Sequence, residues 1–457
     1  MEPIGLAVGI AGLAGLFSSC LEAVDMIHTY LSFGADSQVL DTRFRAAKVR
    51  LEKWGRCRPV FQQWLDNDFT AGPKLLWING PAGFGKTILC AHIVKHVSST
   101  LDTPVAHFFF SSGLESRDDA FIALRSWTAQ VVSQNEAAFA HVRQKWDADP
   151  VPIVSRANVI TIFKDLLHLV PGCTLIVDGL DECTYLDNHS TSVTRFIDTV
   201  IGAVVGTDAR VLVVSRAEPE IRHALTTQAD GAFTEYEIWH DDVQPDTATY
   251  ARNIVDRKLP NKSDDIRSTL AVIMNDRCEG QFIWLKMQEK SLRKGMNKQQ
   301  LEKSIKETPT GLNQLYDQTW QRITQYPEWE RQRTHALLRW AAFAVRPLTV
   351  GEVTEAVLID GFQDAIVENL PDAIDDDYID SEIVNLCGSL LEVRGQQLET
   401  SASLQTVHLT HFSVKQYLLY NLPTPGLMEE NESLWDGYHN ALLAKSCLHY
   451  ISFQRIW

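Results

Sequence analysis

The sequence predicts an α/β protein, a parallel sheet covered by helices, with further helical segments before and after it. Three observations predict it. Short apolar runs recur between residues 58 and 238, and helix-like segments separate most of them. One run, Leu75–Asn79, feeds directly into Gly80-Pro81-Ala82-Gly83-Phe84-Gly85-Lys86-Thr87, the G-x-x-x-x-G-K-T pattern of a phosphate-binding loop. Another, Thr174-Leu175-Ile176-Val177, ends in Asp178, which is how an apolar strand presents a carboxylate to a cation.

Composition narrows the class. A chain of 457 residues with 45% hydrophobic content holds more than one domain and enough apolar side chains for real cores. The formal net charge of −16 disfavours unselective contact with nucleic acid, which needs clustered Lys and Arg. Eight cysteines stand singly, with no CxxC pair, so the spacing indicates neither zinc nor a disulfide framework and points to a reducing, cytoplasmic compartment.

Taken in order, residues 1–57 read as helical. Residues 3–21 carry no charge and are rich in Gly, Ala, Leu and Ile. Glu2 stands where a signal peptide needs positive charge. The run is long enough to cross a bilayer, and Gly5, Gly9, Ala11 and Gly15 are spaced for close helix contact. It reads as a helix buried in a bundle, as one that packs at rest and inserts when triggered, or as a permanent span. The segment from Leu40 to Trp54 carries Leu40, Phe44, Ala47, Leu51 and Trp54 on one helical face. Strands are expected at Leu75–Asn79, Val105–Phe110, Thr174–Val177, Val211–Val214 and Phe233–Ile238. From Asp241 onward no strand run is apparent, and Leu312, Leu315, Tyr316, Trp320 and Ile323 mark an amphipathic helix. Around 336–420 lies a mixed unit with a capping box, Thr349-x-x-Glu352, after Arg346-Pro347. No repeat of 20–50 residues is apparent.

The chemistry follows from residue types. Gly80, Gly83 and Gly85 let the backbone curl so that several N–H groups face one concavity, to which the following helix adds its positive end. Pro81, Ala82 and Phe84 complete the loop. Lys86 is placed to reach the β- and γ-phosphates, and Thr87 with Asp178 to hold Mg²⁺. Asp181 and Glu182 follow closely enough to orient or deprotonate a water. Val105–Phe110 lies between the two motifs in the sequence, which points to the additional-strand class of P-loop ATPases. Arg216, just after the run Val211–Val214, can sense or neutralise a γ-phosphate. Asn261-Lys262-Ser263-Asp264 matches the guanine motif N-K-x-D, but no buried strand precedes it, so it reads as a helix start. Asp375-Asp376-Asp377, Asp380 and Glu382 fit no EF-hand spacing and read as a solvated acidic loop.

These residues resemble a known group. Leu76 to Thr87, His107-Phe108-Phe109-Phe110, Ile176 to Cys183 and Val213-Val214-Ser215-Arg216 are similar to the NACHT ATPase of fungal STAND receptors, nearest to their nephrocystin-like subgroup. Gly280-Gln281-Phe282-Ile283-Trp284 and Leu312–Trp320 resemble that family's helical domain. Trp340 to Thr349 and Val407 to Leu418 resemble its winged helix. Residues 1–57, with Phe33-Gly34 and Leu51–Gly55, resemble the start of a HeLo domain, most of whose bundle this chain lacks. In that family a winged-helix histidine touches the β-phosphate of ADP and holds a closed state. His411 is the matching position, with an ordinary capping histidine as the alternative, and His408 reads as a strand residue.

The resemblance implies five segments: a HeLo-like fragment at 1–57, the NTPase at 58–239, a helical domain at 240–330, a winged helix at 331–425 and a helical linker at 426–457 toward a repeat domain that is absent. It implies an ATP/ADP-dependent signalling switch with Mg²⁺ and at most slow hydrolysis. In fungi such switches serve non-self recognition or programmed cell death. It implies self-association on activation, with membrane contact through residues 3–21. No nucleic acid partner is expected, since Glu352 and Glu355 stand where a recognition helix needs basic groups. Two rivals remain: a housekeeping P-loop ATPase or kinase, and a truncated, non-catalytic interaction protein.

Overall fold

Five strands, each a run of five or six residues rich in Val, Ile, Leu and aromatics, form one parallel sheet: β1 (Leu75–Asn79), β2 (Val105–Phe109), β3 (Thr174–Asp178), β4 (Arg210–Ser215) and β5 (Phe233–Glu237). Their order is β2-β3-β4-β1-β5. β1, β3 and β4 are buried along their whole length, as strands covered on both faces must be. The computed structural model describes residues 57–66, 73–110, 120–148, 155–183, 190–228, 233–361, 371–395, 401–423 and 432–452. The helical readings for residues 3–21 and Leu40–Trp54 lie outside these residues. The described chain divides into two units, the first ending at Thr249 and the second beginning at Tyr250.

One expectation about the sheet needs correcting. The strand inserted between the phosphate-loop strand β1 and the Asp178 strand β3 is β4, while Val105–Phe109 sits at the edge. Sequence proximity misled because parallel neighbours are joined by long crossovers, and pairing is decided in space. An inserted strand is present all the same, and the register sets its use. Asn79 lies level with Ser215, and Asp178 with Val214, so the carboxyl ends of β1, β3 and β4 meet along one line.

Helices α1 (Cys57–Asp66), α2 (Lys86–Thr100), α3 (Ile122–Gln134), α4 (Glu136–Ala148), α5 (Arg156–Leu169), α6 (Ser190–Val204) and α7 (Pro219–Gln228) belong to the same unit. One face of the sheet packs on Trp127, Phe163, Leu166 and Phe196 from α3, α5 and α6. Trp127 is fully buried, 6.1 Å from Phe163 ring to ring, and its indole N–H donates to the Ile176 carbonyl at 3.1 Å. Trp127→Ala should therefore destabilise this unit by about 3–5 kcal/mol, read as a lower urea midpoint. A loss below about 1 kcal/mol would contradict so central a role for this side chain.

The edge strand β2 is finished in an unusual way. Gln134 accepts from the Val105 N–H at 3.1 Å and donates to the Val105 carbonyl at 2.9 Å. Gln130 treats His107 the same way, at 3.0 and 2.7 Å. Two side-chain amides thus occupy the outward peptide groups where a neighbouring strand would pair.

The second unit opens with the last turns of α8 (His240–Lys258), then α9 (Asp264–Arg277), α10 (Phe282–Gln288), α11 (Lys298–Glu307), α12 (Leu312–Thr324), α13 (Glu328–Phe343) and α14 (Val350–Gly361). Beyond the strand residue expected at His408 no strand run is apparent in the sequence here, but β6 (Leu391–Arg394) and β7 (Thr406–Leu409) form an antiparallel pair. Helices α15 (Phe412–Asn421) and α16 (Glu432–Ser452) follow. A four-residue strand of mixed polarity such as Leu391-Glu392-Val393-Arg394 gives almost no apolar run, which is why β6 was not legible. The expected capping box forms: the Thr349 N–H donates to Glu352 at 2.9 Å and the Glu352 N–H to the Thr349 hydroxyl at 3.2 Å. Asn261–Asp264 lies in the turn that starts α9, its Asn261 amide donating to the Lys294 carbonyl at 3.0 Å. Asp375 caps a one-turn helix by accepting from the Tyr378 N–H at 2.8 Å. Among the described residues no group of three or more His, Cys, Asp or Glu is placed to hold a metal ion. No helix among them is long and apolar enough to cross a membrane.

Candidate nucleotide-binding site

The loop after β1 is shaped by its glycines. Gly83 and Gly85 adopt φ of 81° and 77°, the left-handed region where a side chain is disfavoured. Gly80 is favoured for another reason: a Cβ there would lie 3.0 Å from the Ile238 Cβ, a contact that would force Ile238 to shift. Pro81 is exposed, Ala82 and Gly83 are half-buried, and the Phe84 ring is buried, anchoring the loop from beneath. Gly85 precedes α2 with no side-chain cap, so the N–H groups of the first turn are presented to the loop.

Lys86 bends back over this concavity and donates to the Gly80 and Pro81 carbonyls, each at 2.8 Å. Burial lowers its pKa, opposed by the charges of Asp181 and Asp178, with Arg216 lowering and Glu182 raising it further. The phosphate-loop lysine and all four charged residues singled out in the sequence are therefore electrostatic neighbours. A partly desolvated ammonium gains from a polyanion placed against it.

Asp178 is buried at the end of β3, and the Thr87 hydroxyl donates to its carboxylate. Burial pushes this carboxyl up to about 7; Thr87 opposes the rise, Asp181 adds to it and Lys86 opposes it. A buried carboxyl that is costly to ionise, paired with a hydroxyl, is a hard-oxygen set that fits a divalent cation such as Mg²⁺. Gly179 follows with φ of 76°, and a Cβ there would stand 3.1 Å from the Phe110 carbonyl. The backbone, as much as room for an ion, therefore demands glycine.

Asp181 sits in a short 3-10 turn, Leu180–Cys183, and both its oxygens face Arg216. Oδ1 accepts from the Arg216 backbone N–H at 3.0 Å and Oδ2 from Nε at 2.7 Å. Glu218 approaches Nε at 3.8 Å. Glu182 is half-buried at the same turn. His411 belongs to the second unit. It precedes α15 and caps it, its Nδ1 accepting from the Ser413 N–H at 3.2 Å and hydrogen-bonding the Ser413 hydroxyl at 2.7 Å. His408 lies on β7, as its pattern suggested.

Sequence reasoning missed the residues that brace the loop strand. The Trp77 indole donates to the Ser215 hydroxyl at 2.8 Å, and that hydroxyl donates to the Arg216 carbonyl at 2.9 Å. Asn79 donates to Glu235 at 2.8 Å, and Arg222 grips the same carboxylate through two N–H groups at 2.8 and 3.0 Å. The one signal for this network is a polar residue, Asn79, ending an otherwise apolar run.

Residues 52–216 match the family described as nephrocystin 3, N-terminal. Residues 5–80 match the HeLo family, described as prion-inhibition and propagation. Residues 323–429 match the winged helix domain of GPI inositol-deacylase. The chain is 28% identical over 405 residues, 84% of its length, to vegetative incompatibility protein HET-E-1 of Podospora anserina, and spans 28% of that protein. Over 54 residues, 12% of this chain, it is 35% identical to heterokaryon incompatibility protein s of the same fungus, covering 19% of it. Among solved structures, Orc1 of Aeropyrum pernix in complex with DNA is 12% identical, with a TM-score of 0.35 over 81% of this chain and 91% of that one. Phosphate loop, acidic strand end, and nephrocystin-like, HeLo and winged-helix matches occur together on one chain, a combination that resembles the fungal NLR-like NACHT proteins.

Proposed function

We propose that this chain is an ATP/ADP-dependent signalling switch acting in fungal non-self recognition or programmed cell death. The observation that carries the proposal is the meeting of Lys86, Thr87, Asp178, Asp181, Glu182 and Arg216 at the carboxyl ends of β1, β3 and β4. The resemblance to HET-E-1 over most of the chain supports the biological setting.

Gly80 to Gly85 would cradle the phosphates with backbone N–H groups, and Lys86 would leave its two carbonyl partners to meet the β- and γ-oxygens. Thr87 and Asp178 would hold Mg²⁺, which when bound screens phosphate charge and orients the terminal group. Cation binding favours the ionised form of Asp178, so Mg²⁺ affinity should rise with pH toward and through about 7. Glu182 would orient water for slow hydrolysis, and Arg216 would read the terminal phosphate. His411 would favour the ADP-bound resting form. Each nucleotide shifts the switch only by its differential affinity for the two forms. Activation would bring copies together and engage residues 3–21 with a membrane, the cytoplasmic protein becoming membrane-associated.

The test is to denature the purified chain and identify what it releases. ADP or ATP in near-stoichiometric amount supports the switch. Absence of nucleotide, together with no binding on adding either one with Mg²⁺, would overturn it.

A further inference from the structure

The two acids after Gly179 are not equivalent. Asp181 is 5% exposed and commits one oxygen to the Arg216 main chain and the other to its side chain. Together with the Ser215 hydroxyl on the Arg216 carbonyl, this clamps Arg216 at both peptide groups and at Nε. Glu182 is more open, and its backbone N–H closes the turn on the Gly179 carbonyl at 2.8 Å.

We infer that Asp181 is a positioning residue whose hold on Arg216 sets the preference for a nucleoside triphosphate over a diphosphate. This rests on the reading of the loop as a nucleotide site. Three physical points lead to it. A guanidinium is planar, so fixing Nε fixes the plane of the whole fork. Register places Arg216 just beyond Ser215, which is level with Asn79 at the mouth of the loop, so the fork is fixed beside the phosphate cradle. Finally, an ion pair acts at shorter range than a lone cation, because its two charges cancel at a distance. Arg216 joined to Asp181 therefore attracts a phosphate that touches it and hardly one that stops short, which is the difference between ATP and ADP.

The same geometry takes Asp181 away from water activation. Both oxygens are spent on bonds to Arg216, and releasing them would leave the half-buried guanidinium to the more distant Glu218 carboxylate at 3.8 Å. Water positioning then falls to Glu182.

The test is a double-mutant cycle on the full chain, titrating fluorescent ATP and ADP analogues with Mg²⁺ and following single-turnover hydrolysis. Arg216→Gln should cut the ATP-to-ADP affinity ratio by about tenfold or more. Asp181→Ala should cut it similarly, and the double variant should be no worse than Arg216→Gln alone. Glu182→Gln should slow hydrolysis and leave the ratio unchanged. Should Asp181→Ala fail to fold, Asp181→Asn, which keeps the shape and loses the charge, supplies the same comparison. If the Asp181 variants abolish hydrolysis with the ratio intact, or weaken both nucleotides equally, the inference is wrong. Failure of the wild-type chain to bind either nucleotide would instead sink the switch reading itself.

Discussion

A Lys86→Ala chain should purify without nucleotide, its affinity reduced by about a hundredfold or more, yet its nucleotide-free form should melt no lower than the wild type. The two halves of this result have one cause. The half-buried Lys86 ammonium rests against two backbone carbonyls, and desolvation lowers its pKa, so without a phosphate it is a partly desolvated charge that contributes little to stability. Removing it costs the empty fold nothing and costs the complex its main cation. Linkage turns this into a melting experiment: nucleotide at 100 times Kd stabilises the wild type by about 2.7 kcal/mol, and the variant at the same concentration by roughly 0.4 kcal/mol. Unaltered nucleotide content in Lys86→Ala would remove the phosphate-loop assignment.

Acid should undo the second unit through three histidines. His335 stacks on Trp320 at 5.1 Å, His439 stacks on Phe343 at 4.5 Å and accepts from Arg339 Nε at 3.3 Å, and the His408 ring meets the Thr406 hydroxyl at 2.8 Å. Burial lowers each to about 4, helped by Arg339 and Arg331 at His335, by Arg394 at His408 and by Arg339 at His439. Between about 4 and 6.5 the unfolded chain holds protons that the folded unit refuses. Stability therefore rises with pH across that window and is lost as pH falls through it. Each histidine contributes a slope of up to about 1.4 kcal/mol per pH unit. Urea unfolding at several pH values between 5 and 6.5 should show His439→Gln and His335→Gln each flattening the slope by that order. Slopes identical to wild type would mean these rings are protonated in the folded state.

What was legible in the sequence was local. Leu75–Asn79 is a strand over the residues expected, and the other four expected strands differ only at their ends, because a five-residue apolar run between turn residues has few alternatives. The glycines of the loop and the box Thr349–Glu352 were legible because each is a short motif with its mechanism inside it. Non-local facts were not. That β4 separates β1 from β3 depends on pairings across more than a hundred residues, and the contact between Asp181 and Arg216 on two segments meeting in space. Strand β6 was not legible because Glu392 and Arg394 satisfy each other on a strand with little apolar character.

The glutamines on α3 carry a consequence for self-association. A bare edge strand is an invitation to a second chain, and a switch that gathered copies of itself on activation, as proposed above, would expose its edges to high local concentration. Gln130 and Gln134 answer with a counterfeit neighbour, two amides hydrogen-bonded like peptides but carried on a helix that cannot itself be extended as a sheet. On the β2 side, crowding therefore meets a finished border, and any ordered gathering of copies has to be written on other surfaces.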